Sequence, residues 1–263
     1  MAQFKEMGFS FNGLNSTDLG YYIVTTNSSD ESLLGLNKSI VEEDTNNFAK
    51  AFRGVTYNAF SFEIQITKMD NQRNFLDITE QDVEFLNGWL MKPNDYKIFI
   101  SNDNRDILYY ALFTEMKGIR YGEKGYVTLQ MKLNSGCAYS TVAHHQYTVT
   151  DTLTFEIYTQ STVEEYTLPD VNFIAKGIGN NTIQIFNDTL GEEMTFTDIP
   201  QNYEVIAYNE GMKQVRCVND KSFNVNHKFN KNWLRLAYGR NIIRIVGNCE
   251  IDIFFQQKIA IQN

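Results

Sequence analysis

The order of apolar and polar positions along this chain is mostly that of strands. Phe60, Phe62, Ile64 and Ile66 alternate with Ser61, Glu63 and Gln65, the period of two expected of a half-buried strand. Lys97 to Ile100 and Ile107 to Phe113 flank the polar run Ser101-Asn102-Asp103-Asn104-Arg105-Asp106, which predicts a hairpin. Tyr126 to Leu133, after Gly122 and Gly125, reads as another strand. The second half continues with Phe155 to Tyr158, Tyr166 to Leu168, Ile183 to Phe186, Met194 to Phe196, Tyr203 to Tyr208, Ile242 to Val246 and Glu250 to Phe255. Between the last two, Gly247-Asn248-Cys249 reads as a tight hairpin turn.

One segment has the other period. Thr79 is placed to cap a helix whose first turn carries Glu80, Gln81 and Asp82, and Thr79-x-x-Asp82 is a variant of the capping box. Val83, Leu86 and Leu90 follow at helical spacing, Phe85 and Trp89 widen the stripe, and Pro93-Asn94 stops it. The expected helix spans about 79–91, with Trp89 in the core. Short strands separated by turn residues describe an antiparallel sandwich or barrel. Asn134-Ser135-Gly136 and the polar stretch Ser140 to Gln146 interrupt the strands. The expected fold is therefore mainly β, in two domains: a β-sandwich or split barrel with one α-helix over 1–136, and a β-sandwich over 137–263.

Composition strengthens this picture. The chain has 19 Phe, 15 Tyr and only 3 Pro, which suits a sheet-rich protein. A net charge of −9 is spread evenly over both halves without a basic face, which argues against direct nucleic-acid contact. It argues equally against adhesion to anionic lipid. No stretch approaches the roughly 20 apolar residues of a membrane helix, and Met1-Ala2-Gln3-Phe4-Lys5-Glu6 lacks the start of a signal peptide. Cys137, Cys217 and Cys249 are an odd number with no C-x-x-C pair, and read as buried thiols of a reducing compartment.

The search for chemistry returns little. His144-His145 would point to opposite faces of a strand, and His227 is distant, so no zinc spacing results. Asp103-Asn104-Arg105-Asp106 lacks the downstream Glu of a calcium loop and reads as a solvated hairpin tip. Glu42-Glu43, Glu164-Glu165 and Glu192-Glu193 are neighbours in sequence, not a catalytic carboxylate pair. No nucleophile elbow, P-loop or dinucleotide fingerprint is present. The expectation is a non-enzyme with no catalytic residue, metal or cofactor.

The order of several small motifs resembles the distal tail proteins of long-tailed bacteriophages. Phe9-Ser10-Phe11-Asn12-Gly13, Ser16-Thr17-Asp18-Leu19-Gly20-Tyr21 and Lys38-Ser39-Ile40-Val41-Glu42-Glu43 resemble the family's opening. Phe62-Glu63-Ile64 precedes the helix that ends Gly88-Trp89-Leu90. Val127-Thr128-Leu129-Gln130-Met131 runs into Ser135-Gly136-Cys137-Ala138-Tyr139, similar to the family's domain junction, although Cys137-Ala138 stands where a proline is expected. Gly191-Glu192-Glu193-Met194 through Tyr238-Gly239-Arg240-Asn241-Ile242-Ile243-Arg244-Ile245 resembles its C-terminal domain.

The resemblance implies a structural hub of the tail tip. Its N-terminal domain would form a homo-hexameric ring that continues the tail tube and holds a tail-associated fibre or lysin protein. Its second domain, a galectin-like β-sandwich, would carry receptor-binding proteins. Such a protein would be assembled in the host bacterial cytoplasm and end in the virion, at the tail tip. The segment from Asp30 to Tyr57 is a candidate arm toward a neighbouring subunit, with Leu33, Leu34, Leu36, Ile40, Phe48 and Phe52 as interface residues, or else an ordinary strand of the domain. The alternative function is a carbohydrate-binding module for a host cell-wall polymer. For that reading, His227, Asn230 and Trp233 lie in one stretch, but the companion Trp-Gly-x-Glu-x-Arg of galectins is missing, so Trp233 reads as core.

Overall fold

The computed structural model describes residues 8–27, 38–44, 50–119, 124–209, 211 and 213–260. The chain divides into two units, Met1–Ser140 with Ile259–Asn263, and Thr141–Lys258. Both are mainly β, and the described residues contain one α-helix.

The first unit is built on a ten-stranded sheet. Its main path runs Leu14–Asn15, Phe9–Phe11, Lys97–Ser101, Ile107–Ile119, Tyr126–Leu133, Ser61–Met69 and Tyr21–Asn27, all antiparallel. The expected hairpin around Ser101 to Asp106 is present, with Phe99 opposite Tyr109. Alternation in Ser61–Met69 buries Ile64 and Ile66 beside Leu129, Met131 and Phe113. Each fully buried side chain of this kind is worth roughly 1.5–3 kcal/mol relative to exposure.

The helix Glu80–Leu86 begins as its sequence predicts, with Thr79 at the N-cap and a capping box closed by Asp82. It then widens into a π-type turn, Asn87–Met91. Leu86, Trp89 and Leu90 are all buried against the sheet. Trp89 stacks on Phe9 at 5.6 Å, and its indole N–H donates to the Phe11 carbonyl at 3.0 Å, so the large ring leaves no polar atom unpaired.

The second unit is a sandwich. One sheet contains Ala143–Val149, Cys249–Phe255, Asp170–Ala175, Glu204–Tyr208 and Gln214–Cys217. The other contains Thr152–Thr159, Gly239–Val246, Asn180–Asn187 and Glu192–Pro200. Alternation is strict in Asp170–Ala175 and Gly239–Val246. Phe173, Val205, Ile251 and Ile253 of the first sheet share one core with Ile183, Ile185, Phe196, Ile243 and Ile245 of the second.

Two expectations are corrected here. The polar stretch from Ser140 to Gln146 is not a break between strands. From Ala143 it is an edge strand, paired along its whole length with Cys249–Phe255. Nor does Gly247-Asn248-Cys249 close a hairpin, because the strands on either side belong to different sheets. Each strand takes its partners in its own sheet instead, Ile245 opposite Ile185 and Ile251 opposite Phe173. Crossing to the facing sheet lets both strands turn their apolar sides inward. Gly247 makes the crossing at φ +136°, where a Cβ would lie 2.7 Å from the Thr182 carbonyl oxygen. Its N–H donates to the Asp151 carbonyl at 2.8 Å, in the neighbouring crossing between Val149 and Thr152.

Candidate assembly surface

Lys38–Asp44 and Lys50–Tyr57 form an antiparallel two-stranded sheet that pairs with no other strand among the described residues. Their propensity is adequate, since Ile40, Val41, Phe52, Val55 and Thr56 are β-branched or aromatic. A lone pair of strands is nevertheless marginal in water without a face to bury.

The register decides which side chains come together. Ile40 pairs with Val55 and Val41 with Gly54, and then a bulge skips Arg53 so that Glu42 pairs with Phe52. Without the bulge, Val55 and Arg53 would share a face. With it, Ile40, Phe52 and Val55 stand on one side, 63%, 66% and 40% exposed. Gly54 carries the bulge at φ +149° with open space around it. Glu43 accepts from Arg53 Nε at 2.7 Å, and Lys50 lies 3.4 Å from Glu42. These exposed ion pairs contribute little to stability. The result is three exposed apolar side chains gathered on one side of the hairpin, with the Glu42–Lys50 pair beside them.

Of the residues expected at an interface, Ile40 and Phe52 are brought onto this face. Leu33, Leu34, Leu36 and Phe48 lie outside the described residues. Val55, which the expectation did not include, joins them through the register and the bulge rather than through spacing.

The remaining candidates fall elsewhere. His144 contacts Asp252 at 2.7 Å and stacks on Phe254, while His145 stacks against Tyr147 and Phe255 on the other face. Burial, and then the charge of His144, lowers the pKa of His145. Asp103 accepts from Ser101 within its own turn. The paired acids are divided among different ion pairs: Glu42 with Lys50, Glu43 with Arg53, Glu164 with Lys258 and Glu192 with Arg235. Among the described residues no group of three or more His, Cys, Asp or Glu could hold a metal ion. The three thiols are buried, and burial pushes that of Cys249 up to about 12, so it stays protonated. Trp233 is half-buried, packed edge-on against Phe229 at 5.1 Å.

Comparison with known families now gives the surface a context. The family described as a phage tail protein N-terminal domain matches residues 4–135, and a phage tail C-terminal domain matches residues 137–255. The chain belongs to this phage tail family. Among solved structures, this tail protein is similar to the Dit protein of phage SPP1, described as a paradigm of the hub adsorption apparatus in phages that infect Gram-positive bacteria. The TM-score is 0.64 at 11% identity, covering 95% of this chain and 98% of that one. It is also similar to a chain of the phage P2 baseplate, at TM-score 0.50 and 9% identity with the same coverage. At such identities the likeness shows a shared fold, in which the tail protein resembles the Dit hub from end to end. No curated protein matches the sequence.

Proposed function

We propose that this tail protein is a structural hub of the tail tip, which forms a homo-hexameric ring between the tail tube and a tail-associated fibre or lysin protein. The single observation that carries the reading is the open apolar face of Ile40, Phe52 and Val55, on a hairpin with no partner strand among the described residues. A closed ring uses a heterologous contact, in which an element of one subunit is covered by a different surface of the next. A hairpin with exposed apolar side chains suits the first half of such a contact. Membership of a phage tail family and the likeness to a hub protein support the place of assembly. In this reading the second unit, with its own core, is the part free to carry receptor-binding proteins, and the role is mechanical rather than catalytic. The ring assembles in the host bacterial cytoplasm and ends in the virion.

The test is the solution mass of the full chain by light scattering, with negative-stain images of the same peak. Six subunits in a ring are expected. Deletion of residues 42–56 should give a folded chain that no longer closes; a ring of unchanged mass would overturn the role of the hairpin.

A further inference from the structure

Beyond assembly, and independent of it, the second unit contains a cavity of about 490 Å³ that the tail-hub reading does not use. That volume lies within the range of small-molecule sites. Trp233, Lys213, Lys231, Arg235, Glu192 and Glu193 contribute to its lining. The half-buried indole of Trp233 is fixed by its edge-on contact with Phe229.

The charges around the cavity are of two kinds. Arg235 is committed: it pairs with Glu192 and lies 4.4 Å from the centre of the Tyr166 ring. Glu193 accepts from Gln184 at 2.9 Å and from the Thr195 hydroxyl. Lys213 and Lys231, by contrast, have no ion-pair or hydrogen-bond partner among the described residues. Both also hold left-handed backbone, at φ +43° and +65°. Lysine is a poor choice there, since left-handed backbone costs roughly 1–2 kcal/mol for a residue with a Cβ, while glycine or asparagine fits readily. Two strained, unpaired lysines, both exposed, therefore stand at one open cavity beside an aromatic ring, in a chain whose net charge is −9.

We infer that this cavity binds a phosphate-bearing saccharide. The two ammonium groups supply point charges for the phosphate. The indole offers an apolar ring face to the C–H side of a sugar. The carboxylates of Glu192 and Glu193 retain lone pairs for hydroxyl donors. An anion rich in hydroxyl groups answers all three features.

The experiment titrates the full chain with a phosphorylated dextran oligomer and follows tryptophan emission. Unmodified dextran, orthophosphate and hexaglutamate serve as comparison probes. Saturable quenching by the phosphorylated oligomer is expected, with unmodified dextran weaker by about tenfold or more. The double variant Lys213→Asn, Lys231→Asn removes both charges with a residue that tolerates left-handed backbone. It should melt no lower than the parent and lose the preference for phosphate. Trp233→Ala is the less useful variant, because it also removes packing from Phe229. No quenching by the phosphorylated oligomer, or equal binding by the double variant, would overturn the inference. Orthophosphate alone reproducing the signal would mean an adventitious ion only. Equal binding of hexaglutamate would reassign the cavity to an acidic peptide.

Discussion

Asp82 joins the helix of the first unit to the sheet beneath it. Its carboxylate caps the backbone of Thr79 at 2.8 Å, accepts from the Tyr21 hydroxyl at 2.8 Å and pairs with Lys68 at 2.6 Å. Burial raises the pKa of this carboxyl, but the hydrogen bonds from Lys68, Thr79 and Tyr21 outweigh it and hold the group well below the usual carboxylate range. Burial, with the hydrogen bond to Asp82, pushes the Tyr21 phenol up in turn. A depressed carboxylate pKa contributes stability that is complete above its unfolded value near 4 and declines as pH falls through the folded value. Asp82→Asn should therefore cost about 2 kcal/mol at neutral pH, from a weakened cap and a broken ion pair. Its melting temperature should also fall less steeply than the parent's below pH 4, and parallel acid slopes would show that Asp82 carries no such linkage. A second residue with a sharp requirement is Gly247. Gly247→Ala meets both a left-handed backbone and the Thr182 carbonyl oxygen, and should destabilise the second unit by about 3 kcal/mol. Gly179→Ala, at φ +79° but with nothing within 4 Å, should cost only about 1 kcal/mol. Urea titrations of the two variants give the comparison, and equal losses would mean that backbone strain alone matters at the crossing.

At the level of elements, the hairpin Lys38–Tyr57 depends on one irregularity. Only the bulge at Arg53-Gly54 sets Phe52 beside Ile40 and Val55. Phe52→Ser removes an exposed side chain, so the melting temperature should stay within about 1 °C of the parent, while the proposed assembly should weaken about tenfold or more. Sedimentation of both proteins at matched concentration separates the two effects; a lower melting temperature with intact assembly would place Phe52 in the fold instead. This grouping could not be read from spacing, because it requires the register between two strands and the position of the skipped residue. The helix could be read, since Thr79, Asp82, Leu86 and Leu90 act locally on their own backbone. Its widening at Asn87–Met91 could not, because it answers to where the sheet receives Trp89 and Leu90. The crossing at Gly247 could not be read from spacing, because a three-residue turn over Gly247-Asn248-Cys249 would also set Ile243 and Ile245 opposite Ile253 and Ile251 on one face. The edge strand Ala143–Val149 alternates in burial, but adjacent histidines on its two faces and a lone Tyr147 keep the sequence pattern from standing out as apolar. For the cavity at Trp233, the sequence singled out Trp233 and the pair Glu192-Glu193 separately, and only the fold brings them together with Lys213 and Lys231.

For the whole molecule, net charge and the apolar hairpin face make opposed demands on the proposed ring. Each chain carries −9, so six copies brought together repel one another through every exposed carboxylate not offset by a cation. The contact offered by Ile40, Phe52 and Val55 is apolar, and burial of such a surface does not weaken with added salt. Salt screens the repulsion over about 10 Å at 0.1 M and about 3 Å at 1 M. Assembly should therefore tighten as sodium chloride rises from about 0.05 to 1 M, and tighten further in sulfate, which favours apolar burial. A contact built on the ion pairs of this hairpin, Glu42 with Lys50 and Glu43 with Arg53, exchanged between neighbours would do the opposite and loosen as they are screened. Sedimentation velocity across that salt series distinguishes the two. A ring that falls apart at high salt would mean that charges hold the subunits together and that the apolar face of the hairpin meets something other than a second copy of this chain.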